Sequence, residues 1–170
     1  MEPKDIESFV NKIPDYPKPG ILFYDISTLL VNNKAFEHSI RLMSENVSNL
    51  DIDLIAGIDA RGFIFAAGLA HKLNKGMVML RKKNKLPGKI FSQEYDLEYG
   101  KDTIEINVNI ENKKILLVDD LLATGGTANA ALKLLKKSGA QVKCFLCLIE
   151  LTFLSGKQKL DIPFKSLIRY

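Results

Sequence analysis

The sequence predicts an α/β domain: a mostly parallel twisted sheet flanked by helices on both faces. Three observations carry that expectation. Short continuous apolar runs such as "DLIAGI" (53–58) and "KKILLVDD" (113–120) read as strands buried on both sides. Segments of helical periodicity lie between such runs, and the two patterns alternate along the chain. Strands alternating with helices of these lengths are joined by right-handed crossovers, and ligands in such sheets bind beyond the strands' C-terminal ends.

Taken in order, "DYPKPGILFYDIS" near the N-terminus has Pro17, Pro19 and Gly20 punctuating a loop that no helix would cross. "NKAFEHSIRLMSENV" places Phe36, Ile40, Met43 and Val47 at helical spacing. "DLIAGI" is then a strand, "GFIFAAGLAHKL" a helix and "GMVMLRK" another strand. The polar stretch "LRKKNKLPGKIFSQEYDLEYGKD" predicts a hairpin-like flap over 82–102, since structureless connections of that length are often functional lids. "TIEINVNI" alternates Ile104, Ile106, Val108 and Ile110 with Glu105, Asn107 and Asn109, the pattern of a half-buried strand with the polar set outward. "KKILLVDD" is a buried strand, and "TANAALKLLKKSGA" puts Ala128, Ala131, Leu132 and Leu135 on one helical face before a stop at Ser138-Gly139. "QVKCFLCLIEL" closes the pattern as a strand.

With 170 residues, the chain is expected to form one domain over 1–170. Its 24 basic and 20 acidic residues give a net charge of +4. The densest basic run, Arg81-Lys82-Lys83-Asn84-Lys85, has no interleaved aromatics, and no helix-turn-helix or zinc-finger spacing accompanies it, which disfavours nucleic acid. No apolar stretch approaches the ~20 residues that span a bilayer, and "MEPKDIESFV" lacks the features of a secretory signal. A soluble, cytoplasmic protein is expected. Cys144 and Cys147 share CxxC spacing but fall on a strand, where positions i and i+3 face opposite sides, so buried free thiols are expected. His38 and His71 fall on helices without a metal-ligand partner and are expected at the surface or as caps.

The chemistry concentrates in "ILLVDDLLATGGTA" (115–128). If "ILLV" is a central strand, Asp119 and Asp120 emerge at its C-terminal edge and "LLATGGT" turns into the next helix. Gly125 and Gly126 let the backbone approach a ligand, and the first amides of that helix carry the positive end of its dipole. A phosphate monoester suits this cradle, while adjacent carboxylates suit ribose hydroxyls or a magnesium ion. An ordinary N-cap turn with a solvated Asp pair is the plainer alternative. Neither GxxxxGK[ST] nor GxGxxG is present, which sets aside those nucleotide-binding classes.

The segment resembles the motif of the type I phosphoribosyltransferases: an apolar strand, two acidic residues and a small-residue loop ending in Gly and Thr. "VDDLLATGGT" is similar to the adenine-specific version in particular, and "GIDARGF" and "LEYG" occur in matching order. The resemblance implies that Asp119 and Asp120 address the ribose hydroxyls of 5-phosphoribosyl-1-pyrophosphate (PRPP), while Ala123, Thr124, Gly125, Gly126 and Thr127 wrap its 5′-phosphate. Asp59, Ala60 and Arg61 would bind pyrophosphate, with a cis peptide between Asp59 and Ala60. Arg81 and Lys85 would neutralise the leaving pyrophosphate across a dimer interface. Residues 1–34 would form a hood over adenine, with Leu22, Phe23, Tyr24 and Leu151 about the base; Tyr24 stands where family members often carry Arg. Glu98 would handle the imidazole proton of the base, with Tyr99 against the reacting pair.

The implied reaction forms AMP and pyrophosphate from adenine and PRPP in a homodimer. Magnesium would be held mainly through PRPP and pyrophosphate rather than by direct protein ligands. The alternatives are an oxopurine enzyme acting on hypoxanthine, guanine or xanthine, and a non-catalytic PRPP-sensing regulator. "LEYG" and the short hood favour adenine, and a sensor would not need Glu98 with the flap.

Overall fold

The computed structural model describes residues 3–97 and 100–170. In chain order the elements are α1 (Pro3–Glu7), β1 (Asn11–Ile13), β2 (Phe23–Asp25), α2 (Ser27–Val31), α3 (Asn33–Asn46), β3 (Leu54–Ile58), α4 (Gly62–Leu73), β4 (Gly76–Lys82), β5 (Phe91–Leu97), β6 (Gly100–Ile106), β7 (Lys114–Leu122), α5 (Gly126–Lys137), β8 (Gln141–Glu150) and β9 (Phe164–Arg169). Two 3-10 turns, Thr152–Leu154 and Gly156–Lys159, lie between β8 and β9.

Among the described residues the main sheet has seven strands in the order β5-β6-β4-β3-β7-β8-β9, and a separate two-stranded sheet joins β1 to β2. The pairs β3/β4, β3/β7, β7/β8 and β8/β9 are parallel, while β4/β6 and β5/β6 are antiparallel. The expected α/β architecture is therefore present, with an antiparallel edge supplied by the β5–β6 hairpin. β5 and the start of β6 fall within the stretch read as a long flap.

Local chemistry explains the helix limits. Asn32 caps α3 by accepting the Ala35 amide at 3.0 Å. Asn74, at φ 52°, ends α4 in the left-handed conformation. The buried strands divide their side chains between two cores. On β7, Leu116 and Val118 join one core with Phe65 and Leu69 of α4, while Ile115 and Leu117 join the other with Leu132 and Leu135 of α5. Each fully buried leucine contributes roughly 1.5–3 kcal/mol relative to exposure. Cys144 and Cys147 fall in opposite cores as free thiols, in keeping with their i, i+3 spacing on β8. Burial pushes the Cys144 thiol up to about 11 and that of Cys147 well above its ordinary range.

Two expectations are corrected. The strand read through Ile110 ends at Ile106, leaving Val108 45% exposed and Glu105 buried at 6%. The reason is non-local: β6 is paired on both sides, and the turn after β4 folds over Glu105, whose Oε2 accepts the Asn84 amide at 3.1 Å. His38 is also buried rather than superficial, with Arg41 Nη2 3.1 Å from its Nδ1, whereas His71 is exposed as expected.

Candidate active site

Two strand-to-helix turns meet at the C-terminal ends of adjacent parallel strands. β7 carries Asp119 and Asp120 and runs two residues further before Ala123-Thr124-Gly125 turns into α5. β3 ends at Ile58, and Asp59-Ala60-Arg61 leads into α4, with a cis peptide between Asp59 and Ala60 as expected. The turns approach so closely that a Cβ on Gly62 would lie 2.8 Å from Asp119 Oδ1 and 3.0 Å from the Val118 carbonyl oxygen. Glycine at the start of α4 is what lets the two loops share one site.

Together they line a cavity of 310 Å³ that includes Asp59, Ala60 and Arg61, Asp119 and Asp120, and every residue from Ala123 to Thr127. At its foot lies a charge cluster. Arg61 Nε lies 2.8 Å from Asp120 Oδ2, an ion pair without the alignment of a hydrogen bond. The Asp120 amide donates to Asp119 Oδ1 at 2.9 Å. Burial first, then the neighbouring Asp120 charge, pushes the Asp119 carboxyl well above the usual carboxylate range. Burial raises Asp120 too, opposed by Arg61. The pair is thus short of donors and positive charge, a deficit that ribose hydroxyls or a cation would relieve.

Gly125 adopts φ 78°, and its carbonyl accepts the Asn129 amide at 2.9 Å in the first turn of α5. The N-cap residue Gly125 gives this helix no side-chain cap, which leaves its N-terminal amides to an anion. Opposite, Arg81 Nε donates to Asp59 Oδ2 at 2.9 Å, so Arg81 braces the 59–61 turn. Arg81 and Lys85 do not line the cavity, and Lys85 is exposed.

Three polar lining residues were not among the candidates read from the sequence: Lys82, Tyr95 and Asp102. The Tyr95 hydroxyl donates to Asp102 Oδ2 at 3.2 Å, and Lys82 Nζ lies 3.9 Å from the same oxygen. All three come from the β4 end and the hairpin, and only the antiparallel pairing brings them over the β7 turn. Lys82 stood within a legible basic run, but no local signal marked it above Arg81 or Lys85.

The residues expected about a base lie outside this cavity. Leu22 is 42% exposed, and the half-buried Phe23 packs edge-on against Tyr16 at 5.1 Å. The guanidinium of Arg61 sits 5.1 Å from the centroid of the Phe23 ring, and its Nη1 donates to the Tyr24 carbonyl at 3.3 Å. The Tyr24 ring turns into the core, stacked on Tyr170 at 4.5 Å, so the backbone of Tyr24 is what this residue offers to the Arg61 side. Leu151 is buried at 6%, its amide donating to the Leu122 carbonyl. Glu98 and Tyr99 lie outside the described residues.

A family profile for the phosphoribosyl transferase domain matches residues 25–165. An adenine phosphoribosyltransferase of Acidiphilium cryptum is 49% identical over 168 residues, covering 98% of each chain. The crystal structure of adenine phosphoribosyltransferase from Thermoanaerobacter pseudethanolicus superposes with a TM-score of 0.96 at 44% identity, covering 99% of each chain. The chain belongs to the phosphoribosyltransferase family. A further member, the adenine phosphoribosyltransferase of Saccharomyces cerevisiae, was solved with adenine and an iminoaltritol bisphosphate; it matches with a TM-score of 0.90 at 34% identity over 97% of each chain. As a phosphoribosyltransferase, the chain has strand-turn-helix units at β3–α4 and β7–α5 that face one another across a single cavity. Among the described residues no helix is long and apolar enough to cross a membrane.

Proposed function

We infer that this chain forms AMP and pyrophosphate from adenine and PRPP. The observation that carries the reading is the single cavity onto which the β7–α5 turn, its Asp pair and the 59–61 turn all open, in a chain nearly half identical to an adenine phosphoribosyltransferase. The uncapped amides at the start of α5, with Thr124 and Thr127, take the 5′-phosphate. Asp119 and Asp120 accept from the ribose hydroxyls. The 59–61 turn holds the pyrophosphate, with Arg61 as its cation and Arg81 bracing Asp59; Lys85 adds charge from across the interface of a homodimer. The hood of residues 1–34 covers the base, the flap of residues 82–102 covers the leaving group, and the enzyme works in the cytoplasm.

The C1′–oxygen bond to pyrophosphate breaks as adenine N9 bonds to C1′, and Glu98 manages the proton of the base while Tyr99 lies against the reacting pair. Electrostatic stabilisation of the departing pyrophosphate by fixed cations is the main contribution of the protein. Magnesium fits the donor set: Asp119 and Asp120 supply hard oxygens to the cavity, beside the PRPP oxygens through which the ion would mainly be held. When bound, it would neutralise charge on the pyrophosphate.

The test is AMP formation from PRPP with adenine, hypoxanthine, guanine and xanthine in parallel, wild type beside Glu98→Gln. Adenine alone should turn over, and the variant should lose about 10² to 10⁴ in rate, the range for a positioned acid or base. Turnover of an oxopurine in preference to adenine would overturn the reading.

The hood gives a second expected outcome. Burial, then the charge of Glu7, pushes the Tyr170 hydroxyl up to about 12, so the ring stays neutral. It also lies beneath Lys12 of β1, whose Nζ is 4.1 Å from the ring centroid, so Tyr170 pins both hood strands. Tyr170→Leu should raise the KM for adenine about 2- to 10-fold, the worth of an aromatic pair, with Tyr170→Phe near wild type. Unchanged adenine kinetics in the leucine variant would separate the stack from base binding.

A further inference from the structure

We propose that Gly156 is a positioning residue for the phosphate loop, fixing Ala123–Gly125 from behind by direct backbone contact. The proposal rests on the reading of residues 123–127 as the 5′-phosphate cradle. From Thr152 to Lys159 every residue except Gly156 is exposed, including Phe153 at 66%; Gly156 alone is buried. What buries it is the loop. A Cβ on Gly156 would stand 2.1 Å from the Ala123 carbonyl oxygen, 2.9 Å from the Gly125 nitrogen and 3.0 Å from the Thr124 carbonyl carbon. The contact is reciprocal: a Cβ on Gly125 would stand 2.4 Å from the Gly156 carbonyl oxygen. Two backbones meet at a separation that excludes a side chain on either partner.

The supporting segment is itself anchored. The Leu151 amide donates to the Leu122 carbonyl at 2.9 Å and the Thr152 amide to the Tyr170 carbonyl at 2.8 Å, while Ser155 at φ 53° turns the chain so that Gly156 faces inward. Gly125 has no side chain and Ala123 only a methyl with which to brace the loop, and a phosphate loop works only if its donors converge before the ligand arrives. Gly156 supplies the floor that keeps them from receding. The same geometry marks the effect as local, since the 152–159 segment is on the surface and an added methyl displaces the loop or the segment rather than the core.

Gly156→Ala should therefore weaken ribose 5-phosphate binding and raise the KM for PRPP at least about tenfold, because misplacements near 1 Å can cost as much as 10²-fold. Pyrophosphate binding, which belongs to the 59–61 turn, and the KM for adenine should stay within about twofold of wild type, as should all constants of a Gln158→Ala control. A folded Gly156→Ala protein that binds ribose 5-phosphate like wild type overturns the proposal, as does an equal loss for ribose 5-phosphate and pyrophosphate. A wild type that binds no ribose 5-phosphate overturns the cradle reading and the proposal with it, and is told apart by needing no variant. Should Gly156→Ala not fold, amide hydrogen exchange on the wild type decides: ribose 5-phosphate should protect residues 155–158 and pyrophosphate should not, and no protection by ribose 5-phosphate overturns the proposal.

Discussion

Asp119→Asn is expected to lower kcat/KM for PRPP about 10- to 100-fold while raising the melting temperature of the ligand-free protein. The first effect is the loss of a charge-assisted hydrogen bond to a ribose hydroxyl, worth about 1.5–3 kcal/mol. The second follows from the raised carboxyl of Asp119. An unfolded Asp loses its proton near pH 3.9, whereas the buried one holds it to a higher pH. Between those values the unfolded chain is the better proton donor, so this group's contribution to stability falls as pH rises through its folded titration. Asparagine removes the ionisation and with it that slope. Melting curves of both proteins from pH 4 to pH 8 check it. A variant that melts lower than wild type at neutral pH would show that the carboxylate is not the strained group.

Arg61→Met should be costlier than its half-exposed position suggests. It removes the counter-charge of Asp120, whose side chain is only 7% exposed, and the donor to the Tyr24 carbonyl. An uncompensated buried carboxylate costs about 1–3 kcal/mol, or several degrees of melting temperature for a chain of this size. The loss of a pyrophosphate cation should lower kcat/KM about 10²-fold besides. The diagnostic is the double variant Arg61→Met/Asp120→Asn, which should recover stability without recovering activity. Additive destabilisation in that cycle would mean that the two side chains do not act as a pair.

What was legible in the sequence is what a single segment encodes. The apolar run ending in Asp119-Asp120, followed by Gly125-Gly126-Thr127 and a helical periodicity, specifies strand, turn and helix from its own residues, and the cis peptide at Asp59–Ala60 followed from the resemblance of "GIDARGF". What was not legible depends on distant partners. Glu105 reads as a solvent-facing strand residue, and only the turn at Asn84, packed over it, makes it a buried acceptor. Lys82, Tyr95 and Asp102 reach the cavity through the β4/β6 and β5/β6 pairings, whose register no local pattern states. Gly156 lies in an exposed polar segment, and nothing nearby in sequence signals that it backs a loop about thirty residues earlier. His38 was misplaced for the same reason: its helical position was clear, but the burial of that face was set by what packs on it.

Adenine phosphoribosyl transfer is tested most directly by one measurement, the products formed when the purified protein is given PRPP, magnesium and adenine and followed by phosphorus NMR. Such transfer predicts AMP and pyrophosphate appearing in equal amounts, dependent on adenine and about 10- to 100-fold slower in Asp119→Asn at subsaturating PRPP. PRPP consumed without AMP, or AMP formed as readily after Asp119 is replaced, would contradict it.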